Sequence, residues 1–188
     1  EILKAKGIEA VADLRSQPYS KREPAYSRDP LKAFLESAGL LYVFLGKELG
    51  ARREEPECYL DEVARYDLIE KLPAFADGLD RLRKGSAKYR IALLCAEKDP
   101  LTCHRAILVG RSLAVGGYPM THLSADGSEE DQESLETRLL QEEGKSSDEI
   151  DFESGNLKPR DQMLGECYTA RAESMAYREK PENAGGTR

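Results

Sequence analysis

The segment Ile91-Ala-Leu-Leu-Cys95-Ala-Glu97-Lys-Asp-Pro-Leu-Thr-Cys103-His104-Arg105 gathers the residue types that do chemistry: two thiols, an imidazole, carboxylates and a guanidinium. It reads as a buried strand, a short polar turn and a helix start. In an α/β protein ligands sit at such a junction, outside the carboxyl end of a parallel strand, and a helix N-terminus attracts anions through its N–H groups and its dipole. A thiol in that first turn, beside Arg105, is expected to ionise more readily. Cys103 could then attack an electrophile, with His104 carrying the proton. The plain alternative is a small buried thiol beside a solvent-facing histidine. Cys95, at the strand end, is a second candidate thiol. It lacks the Cys-x5-Arg spacing of phosphate cradles, since the sixth residue after it is Leu101. Its plain alternative is a packed strand-end thiol.

Other strand ends add to this set. Asp13-Leu14-Arg15 follows the first strand, and alternation puts Asp13 and Arg15 on the same side, so an arginine held by its own aspartate could face a ligand. A purely structural ion pair is the competing reading. Gly46 and Gly50, with Arg52 just beyond, follow the second strand, where glycines permit a tight turn or close approach. His122 and Asp126 follow the last. With parallel strands, all four ends lie along one sheet edge. The resulting assignment has Cys103, His104 and Cys95 as catalytic candidates. Arg15, Arg105 and Arg52 are the anion binders, and Asp13, Glu97 and His122 support them. Cys95, Cys103, His104 and His122 could also ligate a metal, but their spacing matches no common zinc pattern, and no metal ligands or cofactor are assigned. No Walker loop and no Gly-x-Gly-x-x-Gly occurs.

The elements that would position these residues follow from the apolar pattern. Glu1–Gly7 reads as the end of a helix whose start is missing, and Ile8–Leu14 as a strand. Arg15–Pro30 is a polar loop, and a helix from Asp29-Pro30-Leu31, capped by Asp29, runs to Gly39. Leu40–Leu45 reads as a strand buried on both faces. Tyr59–Lys71 and Pro73–Lys84 read as helices, or as one helix kinked at Pro73, Tyr89–Cys95 as a buried strand, and Thr102–Val115 as a helix capped by Thr102. Tyr118–Leu123 reads as a weaker strand, Glu129–Glu143 as a polar helix, and 144–165 as loop. Cys167–Glu179 reads as a last helix before a disordered end. The expected fold is α/β: a mainly parallel sheet of about four to five strands with helices on both faces, plus an acidic helical C-terminal extension. The expected division is an α/β domain over 1–127 and the extension over 128–188.

Composition sets the outer limits. The 188 residues are 40% hydrophobic and 34% charged, and no apolar run approaches the roughly 20 residues of a membrane span. No signal peptide is legible in the charged first eight residues. Four cysteines at these spacings make no secreted disulfide framework, so reduced thiols in a cytoplasm are expected. Residues 1–125 carry a net charge of +2 and residues 126–188 one of −9, which together make the −7 of the chain. The basic clusters lie in the first part: Lys21-Arg22, Arg52-Arg53, and Arg81, Arg83, Lys84, Lys88 and Arg90. They could meet phosphates or be ordinary solvated faces.

Four pieces of this chain resemble the "domain of unknown function 488" family. They are Val11-Ala-Asp-Leu-Arg-Ser-Gln-Pro-Tyr-Ser20, Leu41-Tyr-Val-Phe-Leu-Gly-Lys-Glu-Leu-Gly50, Leu93-Leu-Cys-Ala-Glu-Lys-Asp-Pro-Leu-Thr-Cys-His-Arg105 and His122-Leu-Ser-Ala-Asp-Gly127. The resemblance covers roughly residues 1–127 and implies an α/β fold, a cytoplasmic prokaryotic protein and an additional N-terminal strand and helix. It implies no particular activity.

Three function classes remain from the sequence. The first is an enzyme acting on a phosphorylated or nucleotide-like ligand through a Cys/His/Arg site. The second is a non-catalytic module for a nucleic-acid phosphate backbone or a partner protein. The third is a metal-binding protein using Cys and His.

Overall fold

In the computed structural model, residues 1–146, Ile150 and residues 155–179 are described. The expected disordered end past residue 179 and part of the expected 144–165 loop lie outside them. The chain divides into two units: residues 1–96 with the segment returning at Ala176, and residues 97–175. The shift to acidic composition near Asp126 falls inside the second unit.

The first unit opens with α1 (Ile2–Ala5), β1 (Ala10–Asp13), α2 (Arg28–Ser37), β2 (Leu41–Phe44) and α3 (Gly46–Leu49). It continues with β3 (Tyr59–Leu60), β4 (Val63–Ala64), α4 (Tyr66–Ile69), α5 (Pro73–Ser86) and β5 (Ile91–Leu94). Its main sheet has three parallel strands in the order β2-β1-β5. β1 is central and wholly buried, which is why its sequence does not alternate. Val11 pairs with Tyr42 and Ala92, and Asp13 with Phe44 and Leu94, so these residues share one face. α2 covers that face: Leu31 and Leu35 join Val11 and Leu40, with Tyr42 and Leu94 packed against them. α5 serves the other face, where a Cβ on its Gly85 would meet the Ile91 side chain at 2.9 Å. Gly39, at φ +78°, ends α2 and lets the Leu40 N–H return to the Leu35 carbonyl, an αL stop that suits glycine.

The sheet is smaller than the expected four to five strands. The anticipated fourth strand is β6 (Thr121–Leu123), which pairs antiparallel with β7 (Glu129–Asp131) in the second unit. Asp126 and Gly127 turn the chain between them: Asp126 accepts from the Ser128 N–H and hydroxyl, and Gly127 has φ +87°. An Asp-Gly between short strands is a hairpin signal. β2 is an edge strand, not one buried on both faces. With β1 as its single partner strand among the described residues, it leaves Leu41 47% and Val43 39% exposed.

Tyr59–Lys71 is not one helix. It forms the β3-β4 hairpin, turned by Asp61 and Glu62 at positive φ, and then α4. The helix expected at Asp29 starts at Arg28, so Ser27 takes the cap position in place of Asp29.

In the second unit Asp99 accepts the Leu101 N–H at the head of the tight turn Pro100–Thr102. A helical run from His104 follows, wound as a π-helix over Arg105–Gly110 and as α6 over Arg111–Val115. Thr102 does not cap it; its hydroxyl donates to the Asp99 carbonyl. α7 (Gln132–Glu142) and α8 (Arg160–Met175) pack together. Arg138 of α7 joins Asp99, Glu130 and Glu142, and Arg171 of α8 joins Glu142 and Glu143. Among the described residues no helix is long and apolar enough to cross a membrane.

Candidate functional site

In the first unit the parallel register brings three strand ends to one edge: Asp13 at the end of β1 with Arg15 just beyond it, Gly46 after β2 and Cys95 after β5. His122 does not join them, because β6 belongs to the separate antiparallel hairpin.

Asp13 is 0% exposed, and burying a carboxylate demands full compensation. It has four donors. The backbone N–H and Nε of Arg15 donate to Oδ1 at 3.1 and 2.8 Å, and Nη2 of Arg15 and the Tyr42 hydroxyl donate to Oδ2 at 2.6 and 2.7 Å. The two-residue offset on one strand face makes this grip local, as alternation anticipates. Burial and the bond to Asp13 push the Tyr42 phenol well above its ordinary range, and the bond to Asp13 raises the Arg15 guanidinium from its ordinary value.

Arg15 retains binding capacity. Its Nη1 donates to the Tyr26 carbonyl at 2.7 Å, so three of its five side-chain N–H groups are engaged. Among the described residues no partner takes the second N–H of either terminal nitrogen. A guanidinium fixed by its own carboxylate, with N–H groups left over, suits an anion accepted in bidentate fashion.

Two more cations belong to this unit's carboxyl edge. Arg28, the first residue of α2, lies over the Phe44 ring at 4.4 Å, and its charge bears on Tyr42. Arg52 reaches back to the loop after β1: its N–H donates to Ser16 Oγ at 3.0 Å and its Nη1 to Gln17 Oε1 at 3.1 Å. Its guanidinium lies over the Tyr177 ring at 4.6 Å. Arg53, its sequence neighbour, is the buried one. It forks onto Glu55 and donates to the Lys47 and Glu48 carbonyls at the end of α3. The approach that Gly46 permits is by the chain itself, since a Cβ there would land on the Arg15 carbonyl oxygen. Cys95 stands one residue past β5, level with Leu14, whose N–H bonds the Leu94 carbonyl, and it is half-buried.

The second unit holds Glu97, Cys103, His104, Arg105 and His122. Glu97 is exposed. Cys103 is extended and 0% exposed, and it precedes the helical run instead of sitting in its first turn. Its sulfur accepts the Arg105 N–H at 3.3 Å, and its carbonyl takes the Ala106 and Ile107 N–H groups. A first-turn amide thus does act on the thiol, from a capping position. His104 and Arg105 are half-buried. None of the four cysteines is in a disulfide.

His122 is 6% exposed. Burial first of all, and then the Arg105 and Arg138 charges, hold its imidazole below the ordinary value against the opposing pull of Gln132 and Glu130. The Gln132 amide nitrogen donates to Glu136 and to the Tyr168 hydroxyl. Its oxygen therefore accepts from Nε2–H of His122 at 3.1 Å, which fixes the tautomer. Arg111 covers the Tyr168 ring at 4.6 Å.

Sequence reasoning missed Tyr42, Arg28 and the Gln132–Glu136–Tyr168 group. A tyrosine within a buried strand was a usable signal, because its hydroxyl needs a partner. The other partners come from distant segments and carry no local mark.

Fold and site together define a parallel α/β protein whose carboxyl sheet edge carries a buried carboxylate–guanidinium pair. The chain belongs to the family described as Domain of unknown function DUF488, which matches over residues 1–112. No curated protein and no solved structure matches it.

Proposed function

We propose that the carboxyl edge of the three-stranded sheet binds the anionic group of a phosphorylated or nucleotide-like ligand, with Arg15 as its receptor. The observation that carries this reading is the state of Arg15: fixed by the buried Asp13, yet with the second N–H of each terminal nitrogen taken by no partner among the described residues. Arg28 and Arg52 add positive charge, and the Ser16 hydroxyl is a further donor on the same loop. Cys95, past the end of β5, is the thiol this unit offers for covalent chemistry.

Titration of inorganic phosphate, pyrophosphate and nucleoside monophosphates, followed by NMR of the arginine Nε–H signals, tests it. The Arg15 signal is expected to shift and saturate. Arg15→Lys, which loses the fork but keeps the charge, should weaken binding by roughly tenfold, the scale of a charge-assisted hydrogen bond. An Arg15 signal indifferent to all of these anions overturns the reading. Alkylation at each cysteine, resolved by mass spectrometry with and without phosphate, places Cys95: protection puts it in the site, and equal labelling removes it.

A second reading concerns the other unit, with Cys103 as nucleophile, His104 as proton carrier and Arg105 as anion holder. The Arg105 N–H on the sulfur favours it, because such donation stabilises a thiolate. It requires alkylation of Cys103 to proceed at a pH below that of an ordinary thiol. A Cys103 that stays inert in the folded protein at every pH retires it.

A further inference from the structure

We propose that the loop of residues 16–28 is a binding surface for single-stranded nucleic acid, an inference that rests on Arg15 acting as a phosphate receptor. Two features set this loop apart. Tyr19 and Tyr26 are 70% and 57% exposed, two large rings that the fold leaves to solvent. Between and beside them stand Lys21, Arg22 and Arg28, all exposed, with Glu23 the one carboxylate in the loop. The chain is acidic overall, so this local excess of cations is a departure from its average.

The loop is built to hold this display. The Arg28 N–H closes its base on the Pro18 carbonyl at 2.8 Å. The Ser20 N–H donates to Ser27 Oγ, and the Glu23 N–H donates to Ser20 Oγ. The Tyr26 N–H donates to the Glu23 carbonyl. Arg15 ties the loop to the sheet through the Tyr26 carbonyl. The residue that would take a phosphate is therefore bonded directly to the backbone that carries an exposed ring. Arg28, stacked on Phe44 with one face, has a second face to offer.

Open aromatic faces beside guanidinium groups match unpaired bases on a phosphate backbone. Single strands stack their bases on such rings, whereas duplex bases are already stacked on one another. Free phosphate is served by Arg15 and the cations around it and has no use for Tyr19 and Tyr26. The rings therefore select a ligand with bases.

The test is fluorescence anisotropy of the full chain with a labelled oligothymidylate of about ten nucleotides, a length within one single-strand binding site, and with a duplex of equal length. Wild type is expected to prefer the single strand and to lose affinity as salt rises. The double variant Tyr19→Ala, Tyr26→Ala should bind the oligomer roughly tenfold or more weakly, the scale of lost base stacking. Tyr19→Phe, Tyr26→Phe should bind as wild type does, because stacking needs the ring and not the hydroxyl. Exposed rings can be exchanged without unfolding, and the phosphate response of the Arg15 NMR signal serves as the control. Phosphate binding without oligomer binding overturns this inference and leaves the proposed function standing. Loss of both overturns both. Oligomer binding that the alanine variant retains, equal binding of duplex and single strand, or Phe variants as weak as the Ala ones each remove the stacking role.

Discussion

Asp13, Arg15 and Tyr42 show how one buried charge organises a strand end. The carboxylate has no exposure, and its four donors come from two residues: three from Arg15, just past the end of the strand, and one from the neighbouring strand. Tyr42→Phe removes the neighbour's contribution and leaves Asp13 with three donors, so it should cost roughly 1.5 kcal/mol, the lower end for a hydrogen bond to a charged group. Asp13→Asn sets an amide NH2 against the Arg15 N–H groups and removes their counter-charge, as breaking a buried pair does. It should cost more than Tyr42→Phe. Denaturation midpoints of the two variants decide the order, and an Asn variant as stable as the Phe variant would mean that Asp13 is not the anchor of the pair. At this scale the sequence was informative where contacts are local. The Asp13–Arg15 partnership follows from alternation along one strand, while Tyr42 lies 29 positions away in sequence and joins only through strand pairing.

At the scale of elements, reading succeeded where apolar period and length agreed. β1, α2, α5 and β5 lie close to where their patterns put them. It failed at Tyr59–Lys71, where a tight hairpin uses Asp61 and Glu62 at positive φ without the glycine that usually marks such a turn. The place of β6 outside the main sheet is not legible either, since a three-residue strand does not state its partner. His122 sits on β6, buried, its Nε2–H held by Gln132 at the start of α7. Its imidazole is held below the ordinary value, so on acidification the unfolded chain takes up the proton first. Stability from the neutral ring is complete above the unfolded value of about 6.5 and is lost as pH falls through it, at up to roughly 1.4 kcal/mol per pH unit. Urea midpoints at pH 7.5 and 5.5 should fall farther for wild type than for His122→Gln. The chain's other histidine, His104, is common to both proteins and cancels. Equal falls would show that His122 is not the titrating group.

For the whole molecule, the sequence located the acidity but not the path of the chain. Some of the carboxylates behind the −9 of residues 126–188 are paired inside the second unit, where Arg138 and Arg171 each gather two or more carboxylates. Composition showed the charges, whereas these pairings depend on α7 lying beside α8. The return of the chain to the first unit after Met175 was not legible at all, because the expected final helix ran on to Glu179, whereas α8 ends at Met175 and Ala176–Glu179 is non-helical. There Ala64 donates its N–H to the Tyr177 carbonyl, and Glu179 donates to the Glu62 carbonyl, both at 2.8 Å. Arg178 bridges antiparallel to Val63, and Tyr177 lies under Arg52. The returning segment thus extends the β3-β4 hairpin and braces the arginine that bonds Ser16 and Gln17. A chain ended after Met175 loses two backbone hydrogen bonds and a cation–π contact, together about 2–3 kcal/mol of local stability. Hydrogen exchange should show this as faster exchange at Ala64, whose amide loses its acceptor. Exchange at Leu14, whose amide bonds the Leu94 carbonyl within the main sheet, should stay unchanged. If both amides accelerate together, the segment holds the whole first unit and not the hairpin alone; if neither does, the hairpin stands without it and Arg52 is positioned by Ser16 and Gln17.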